Sequence, residues 1–275
     1  MKDQSVVPND AKKLFFKLGT CSQTFFHILN RDFGFPLDIE ERAVDSLAGG
    51  ILREGHQCGM LWGTALALGA ESYRKCSNAD EAVALAVTAT QEIMSSFHKQ
   101  TNSFSCREIT DCNFKSPLSM AKYFVTGRFM GCYNLAQKWA PEAIRSANEG
   151  LSQDSGDPTE SKSCASEVAK QMGARQEEAA MVAGFAGGLG LSGEACGALS
   201  AAIWLKTIEY LRKTKKKSVM TAPAAKKTLE AFYVVTGGEI LCHKICGQHF
   251  DTISDHTAYL KKGGCADLLR TLANS

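Results

Sequence analysis

Apolar residues recur at helical spacing along most of the chain. Between positions 11 and 29 they fall at 14, 15, 18, 25, 26 and 29, one face of a helix whose start is marked by Asn9 and Asp10. The segment 38–52 begins acidic behind Pro36 and runs into Gly49 and Gly50. Helices are predicted next at 58–73 and 81–97, the second opened by the polar run "SNAD". A later block repeats the scheme at 165–172, 176–185, 196–211 and 224–235. No segment sustains the apolar–polar alternation of a half-buried strand. "EAFYVVTGGEILC" comes nearest, and its counterpart "IMSSFHKQTNSFSC" does not support that reading. The pattern predicts an all-α protein of two bundles, four to five helices each, related by a pseudo-twofold axis.

Between the blocks lies "ANEGLSQDSGDPTESKS", 147–163, a polar, acidic stretch rich in Gly, Ser and Pro that reads as a linker. It separates a first unit, 1–146, from a second, 164–275. The units align on one near-copy. "AGGILREGHQCGMLWG" begins at Ala48 and "AGGLGLSGEACGALSA" at Ala186, so that Cys58 and Cys196 stand 138 residues apart. With these in step, four cysteines correspond in order: Cys21, Cys58, Cys106 and Cys132 against Cys164, Cys196, Cys242 and Cys265. Their spacings are 37, 48 and 26 residues against 32, 46 and 23, the drift falling in loops. Little else is shared, and a cysteine that merely fills a core is exchangeable for another small residue. Four positions held in both copies therefore point to chemistry. Cys76, Cys112 and Cys246 have no counterpart and read as small core residues.

In each copy the central cysteine follows a glycine turn and opens a long helix. Unpaired N–H groups and a partial positive charge at a helix start favour a thiolate. Cys58 and Cys196 are thus the expected redox-active thiolates, with lowered pKa values. Gly49, Gly50 and Gly55, and Gly187, Gly188 and Gly193, permit positive φ and close backbone approach, as a cradle for a thiolate or a bound cofactor requires. Gly59 and Gly197 leave room for a bulky neighbour, which could equally be a second helix.

These residues resemble the C_GCAxxG_C_C family, helical proteins of about half this length that are regarded as redox-active. The resemblance implies two tandem copies covering nearly all of the chain outside the linker. It maps the family's four cysteines onto the eight aligned here. Each copy departs once from the central pattern: Met60 replaces alanine in "CGMLWG", and Ala201 replaces the last glycine in "CGALSA".

Composition narrows the setting. The chain has 275 residues, 44% apolar and 22% charged, with a formal net charge of +2, so nothing points to nucleic acid or an anionic membrane. The N-terminus lacks the apolar stretch of a signal peptide. Segment 179–205 carries one charge but six glycines, which argues against a membrane span. Eleven cysteines in a chain without an export signal imply a reducing, cytoplasmic compartment, where clustered thiols serve metal or redox work.

Several chemistries remain open. Four thiolates per copy could hold an iron–sulfur cluster, the reading taken first. They could instead pair as dithiols in thiol–disulfide exchange. In a third reading they bind structural zinc, with His56 or His243 nearby, or are inert in a helical interaction module. No CxxC, CxxCH or G-K-[ST] occurs, which sets aside thioredoxin-like, c-type haem and phosphate-loop sites. The basic run 212–218 reads as a solvated helix end. The partner expected is a redox protein or a small oxidant or reductant, and a homo-oligomer is compatible with everything above.

Overall fold

A computed structural model of the protein describes residues 10–153, 160–216 and 219–275. The first copy comprises α1 (Ala11–Leu18), α2 (Cys21–Asp32), α3 (Asp38–Ala43), α4 (Gly59–Lys75), α5 (Ala79–Thr101), α6 (Cys106–Thr110), α7 (Pro117–Val125) and α8 (Phe129–Gly150). The second comprises α9 (Cys164–Gln171), α10 (Gln176–Met181), α11 (Gly197–Thr214), α12 (Pro223–Thr236), α13 (Cys242–Cys246), α14 (Ile253–Lys261) and α15 (Ala266–Asn274). Among the described residues there is no strand, only an isolated bridge between Gln57 and Ser105. No helix among them is long and apolar enough to cross a membrane. The all-α expectation holds, and short helices add to the long ones foreseen in each copy.

Local chemistry explains where the helices break. The apolar face over 11–29 belongs to two helices, because Gly19 closes α1 in the left-handed region and Thr20 then caps α2. α5 has Asn78 accepting the Glu81 N–H, acids in its first turn and His98 and Lys99 in its last. The expected linker starts too early: 147–150 form the end of α8, whose Ala140, Ala143 and Ala147 are buried. Residues 154–159 of that linker, and Lys217 and Ser218 of the basic run, lie outside the described residues.

The glycine motif folds into something the sequence alone did not announce. Gly49, Gly50, Ile51, Leu52 and Arg53 all have positive φ, between 49° and 76°. Gly187, Gly188, Leu189, Gly190 and Leu191 repeat this, between 55° and 87°. Each copy therefore contains one left-handed turn, preceded by a 3₁₀ turn (Val44–Leu47 or Ala183–Phe185). Such backbone costs a non-glycine residue roughly 1–2 kcal/mol, or about 3–6 kcal/mol for Ile51, Leu52 and Arg53 together. Gly50 and Gly188 occur where the chain folds back on itself: an added Cβ would stand 2.3 Å from the His56 nitrogen or the Ala195 oxygen.

The copies pack reciprocally, α3 against α11 and α10 against α4, as a pseudo-twofold relation requires. Trp204 on α11 donates to the Glu40 carbonyl at 3.3 Å, and Trp62 on α4 meets the ring of Phe185 edge-on at 4.8 Å. Gly69 on α4 lies so close to α10 that a Cβ would stand 2.2 Å from the Met181 oxygen. Glu40 and Glu178, equivalent in the two copies, both bond Arg175 Nη2, at 2.9 and 3.0 Å. Arg212 joins them, 2.5 Å from Glu178. One apolar core runs through both copies and encloses Trp62, Trp139 and Trp204 completely.

Candidate functional site

The site of the first copy starts at the N-terminus of α2. Thr20 Oγ1 accepts the Gln23 N–H at 3.3 Å and donates to the buried Asp45 carboxylate at 2.5 Å. This fixes Cys21 as the first residue of the helix. Its sulfur accepts hydrogen bonds from the Cys58 thiol and from the backbone N–H groups of Gly49, Ser22 and Cys21 itself. The left-handed turn is what aims the Gly49 N–H. Gly59 answers the question of the missing side chain, since a Cβ there would stand 2.7 Å from the Cys21 sulfur.

Three backbone bonds bring Cys106 in. Cys58 N–H donates to Phe104, Cys106 N–H to His56 and Arg107 N–H to Gly55, at 2.8, 2.6 and 3.0 Å. Cys132, in the first turn of α8, stands 3.5 Å from the Tyr123 hydroxyl. Cys112 is buried beside them, with the Ser119 hydroxyl 3.6 Å from its sulfur. Cys21, Cys106 and Cys132 line a cavity of about 240 Å³, while Cys58 lies buried behind Cys21.

Cys21 is the one thiol held below the ordinary range: the Cys58 thiol hydrogen bond and the backbone N–H groups outweigh its burial. Donating that bond raises Cys58 well above the ordinary value, and burial and the neighbouring sulfurs add to it. Burial, with nearby sulfurs, also raises Cys106 strongly and pushes Cys132 up to about 11. The expectation of lowered pKa values at Cys58 and Cys196 is therefore corrected. The helix starts do supply N–H groups, from Met60 and Leu199, but in both places the factors raising the pKa dominate. The acidified position lies one helix away.

The second copy repeats the plan with different contents. Cys164 opens α9 and accepts N–H groups of Gly187 and Ala165, yet burial pushes it up to about 12. Burial likewise raises Cys196 well above the ordinary value. Cys246 stands 3.7 Å from both Cys242 and Cys265, and Cys265 is 3.9 Å from the Tyr259 hydroxyl. The pocket among these thiols is only about 10 Å³, room for one water at most. Gly197 accommodates no sulfur here; a Cβ would clash with the Phe185 oxygen at 1.9 Å.

All eight aligned cysteines are thus gathered in two groups, one per copy. Cys112 and Cys246, expected to be core filler, belong to those groups as fifth thiols; Cys76, at the far end of α4, does not. Gly55 and Gly193 border the groups through Arg107 and His243 rather than through sulfur. The sequence reading missed Tyr123 and Tyr259, each on the helix before the fourth cysteine, and it missed Asp45. The tyrosines left a signal, a Tyr nine or six residues before that cysteine in both copies.

Thiolates suit iron–sulfur or zinc chemistry. Among the described residues no group of three or more His, Cys, Asp or Glu side chains could hold a metal ion. His56 is taken by the Tyr233 hydroxyl at 2.7 Å and His243 by the Gly193 carbonyl at 3.0 Å. Two successive segments, 20–143 and 161–275, match the sequence profile of a family described as "Putative redox-active protein (C_GCAxxG_C_C)". No curated protein and no solved structure matches the chain.

Proposed function

The chain belongs to the C_GCAxxG_C_C family, in two tandem copies, and we propose that it is a thiol–disulfide oxidoreductase whose exchanging pair is Cys21 and Cys58. One observation carries this reading: a partly exposed, acidified thiol on an open cavity, hydrogen-bonded to a second thiol directly behind it. That is the arrangement of an attacking and a resolving cysteine.

The Cys21 thiolate attacks one sulfur of a bound disulfide, forming a mixed disulfide and expelling the first thiolate. That thiolate takes the proton of Cys58. The Cys58 sulfur then attacks Cys21, closing a Cys21–Cys58 disulfide and releasing the second thiolate. Two electrons pass from the protein dithiol to the substrate disulfide, and the reverse sequence oxidises a substrate dithiol. The neutral thiols around the pair, Cys106 and Cys132, and the Tyr123 hydroxyl can hydrogen-bond the departing sulfur. In the second copy every aligned thiol is held neutral around a far smaller pocket, so exchange is assigned to the first.

The test is anaerobic purification followed by titration with one equivalent of a disulfide oxidant, with peptide mapping by mass spectrometry. The expected product is a Cys21–Cys58 disulfide that reductant reverses. C21S should abolish it and C164S should leave it. Stoichiometric iron and sulfide in the same preparation would overturn the reading in favour of a cluster; native thiols inert to oxidant would overturn it in favour of a scaffold.

A further inference from the structure

The cavity in front of Cys21 has walls that say what it takes. It measures about 240 Å³, larger than the roughly 150 Å³ that accepts a benzene. Phe15, Phe114, Phe124, Phe129 and Tyr133 supply aromatic surface, and Met120 and Met220 supply thioethers. Sulfur and aromatic faces attract one another, so such walls favour an aromatic ring or a sulfur-bearing apolar body over a hydrated peptide. The rim continues the character: Leu118, Phe124 and Val125 of α7 are exposed.

One lining residue is charged, Arg53. Among the described residues no carboxylate pairs with it; its guanidinium rests on the Met220 sulfur at 3.2 Å. A thioether is a poor substitute for an anion, and guanidinium is suited to binding a carboxylate through two parallel hydrogen bonds. Arg53 also ends the left-handed turn that begins at Gly49, whose N–H bonds the Cys21 sulfur. The same five residues therefore set the position of the thiolate and of the cation. The second copy has Leu191 at the equivalent place and a pocket of only about 10 Å³, so it offers neither feature.

We infer that the first copy binds a small aromatic disulfide carrying an anionic group, its ring among the cavity aromatics, its anion on Arg53 and its sulfur against Cys21. This rests on the exchange reading and names the substrate class for that same site. In the step, Cys21–S⁻ and Ar–S–S–Ar give Cys21–S–S–Ar and ArS⁻. Attack by Cys58 then gives the Cys21–Cys58 disulfide and a second ArS⁻, with the Cys58 proton taken by the medium or the aryl thiolate.

The full chain is tested with three reagents: dithiobis(nitrobenzoate), aromatic and dianionic; cystamine, aliphatic and cationic; and hydroxyethyl disulfide, aliphatic and neutral. Each rate at Cys21, located by mass spectrometry, is divided by that reagent's rate with free cysteine at the same pH. The normalised preference for the aromatic dianion over cystamine should reach about tenfold or more, as a carboxylate–guanidinium contact allows. R53Q should lower that preference about fivefold, and R53K, which keeps the charge but not the two-pronged contact, should retain only part of it. Equal normalised rates for all three, with Cys21 still exchanging, would overturn the substrate class and leave the exchange reading standing. No exchange at Cys21 with any reagent would overturn both.

Discussion

Replacing Cys58 by alanine tests the charge assignment directly. Cys58 is almost fully buried, so the substitution removes one sulfur from the core at a cost on the order of 1 kcal/mol, well within the stability of a folded domain. What it removes from Cys21 is the thiol donor that contributes most to its acidity. A hydrogen bond to an ionised group contributes about 1.5–3 kcal/mol, which at 1.36 kcal/mol per decade lowers the thiolate fraction near neutral pH about 10–100-fold. A more basic thiolate is also a better nucleophile, and with a Brønsted slope of about 0.4–0.5 this returns about 3–10-fold. Alkylation of Cys21 at neutral pH should therefore slow about 3–10-fold, and its pH–rate midpoint should move up. The Gly49, Ser22 and Cys21 N–H groups remain and limit the loss. The assay is iodoacetamide labelling across pH, with Cys21 quantified by peptide mass spectrometry. An unmoved or lowered midpoint would refute the assignment of Cys58 as donor.

Three other outcomes are expected. G59A sets a methyl 2.7 Å from the Cys21 sulfur and should cost about 1–3 kcal/mol in urea unfolding and slow Cys21 labelling, whereas G131A, in open space on α8, should stabilise by up to about 1 kcal/mol. R53G should raise the melting temperature by about 2–4 °C, because glycine relieves roughly 1 kcal/mol of left-handed strain at an exposed position. Stability should also fall on both sides of neutrality. Above about pH 8.5 the unfolded chain loses thiol protons that Cys58, Cys106, Cys164 and Cys196 retain when folded, so the slope against pH turns negative by up to about 1.4 kcal/mol per pH unit for each. Below about pH 6.5 the unfolded chain takes up protons that half-buried His56 and buried His256 resist, and stability falls again. Urea midpoints measured from pH 5 to pH 10 check both limbs (an approximate range around those two pKa values); a flat profile above pH 8.5 would contradict the burial of the thiols.

Helical periodicity and cysteine order were readable because both are local or nearly so: an apolar stripe recurs within one element, and the eight cysteines keep their sequence in two copies. The acidity of Cys21 was not, because its two largest contributors, the Cys58 thiol and the Gly49 N–H, are brought to it only by tertiary folding. A helix start favours a thiolate, and Cys21 as well as Cys58 stands at one. Cys58 does meet the Met60 N–H, but its bond to Cys21 and then desolvation, which no pattern in the chain displays, act the other way. Cys246 escaped for a related reason. Its neighbour in the first copy's register is Thr110, so alignment gave it no partner, while its helix places it between two sulfurs.

The duplication bears on how the strained turns persist. A left-handed turn with Ile51 and Leu52 in it survives only where surrounding structure leaves it no alternative. Each copy supplies part of that surrounding for the other. Gly190, in the second turn, packs so tightly on α5 of the first copy that a Cβ would stand 2.8 Å from the Gln91 nitrogen. Arg53, in the first turn, leans on Met220 of the second copy. Buried Ile51 and Leu189 anchor the two turns in the one shared core. The Cys21 sulfur is thus positioned by a turn whose strain is offset across the interface between copies. The second copy helps keep the first one's turn in place, which gives it a physical role even where no exchange is assigned to it.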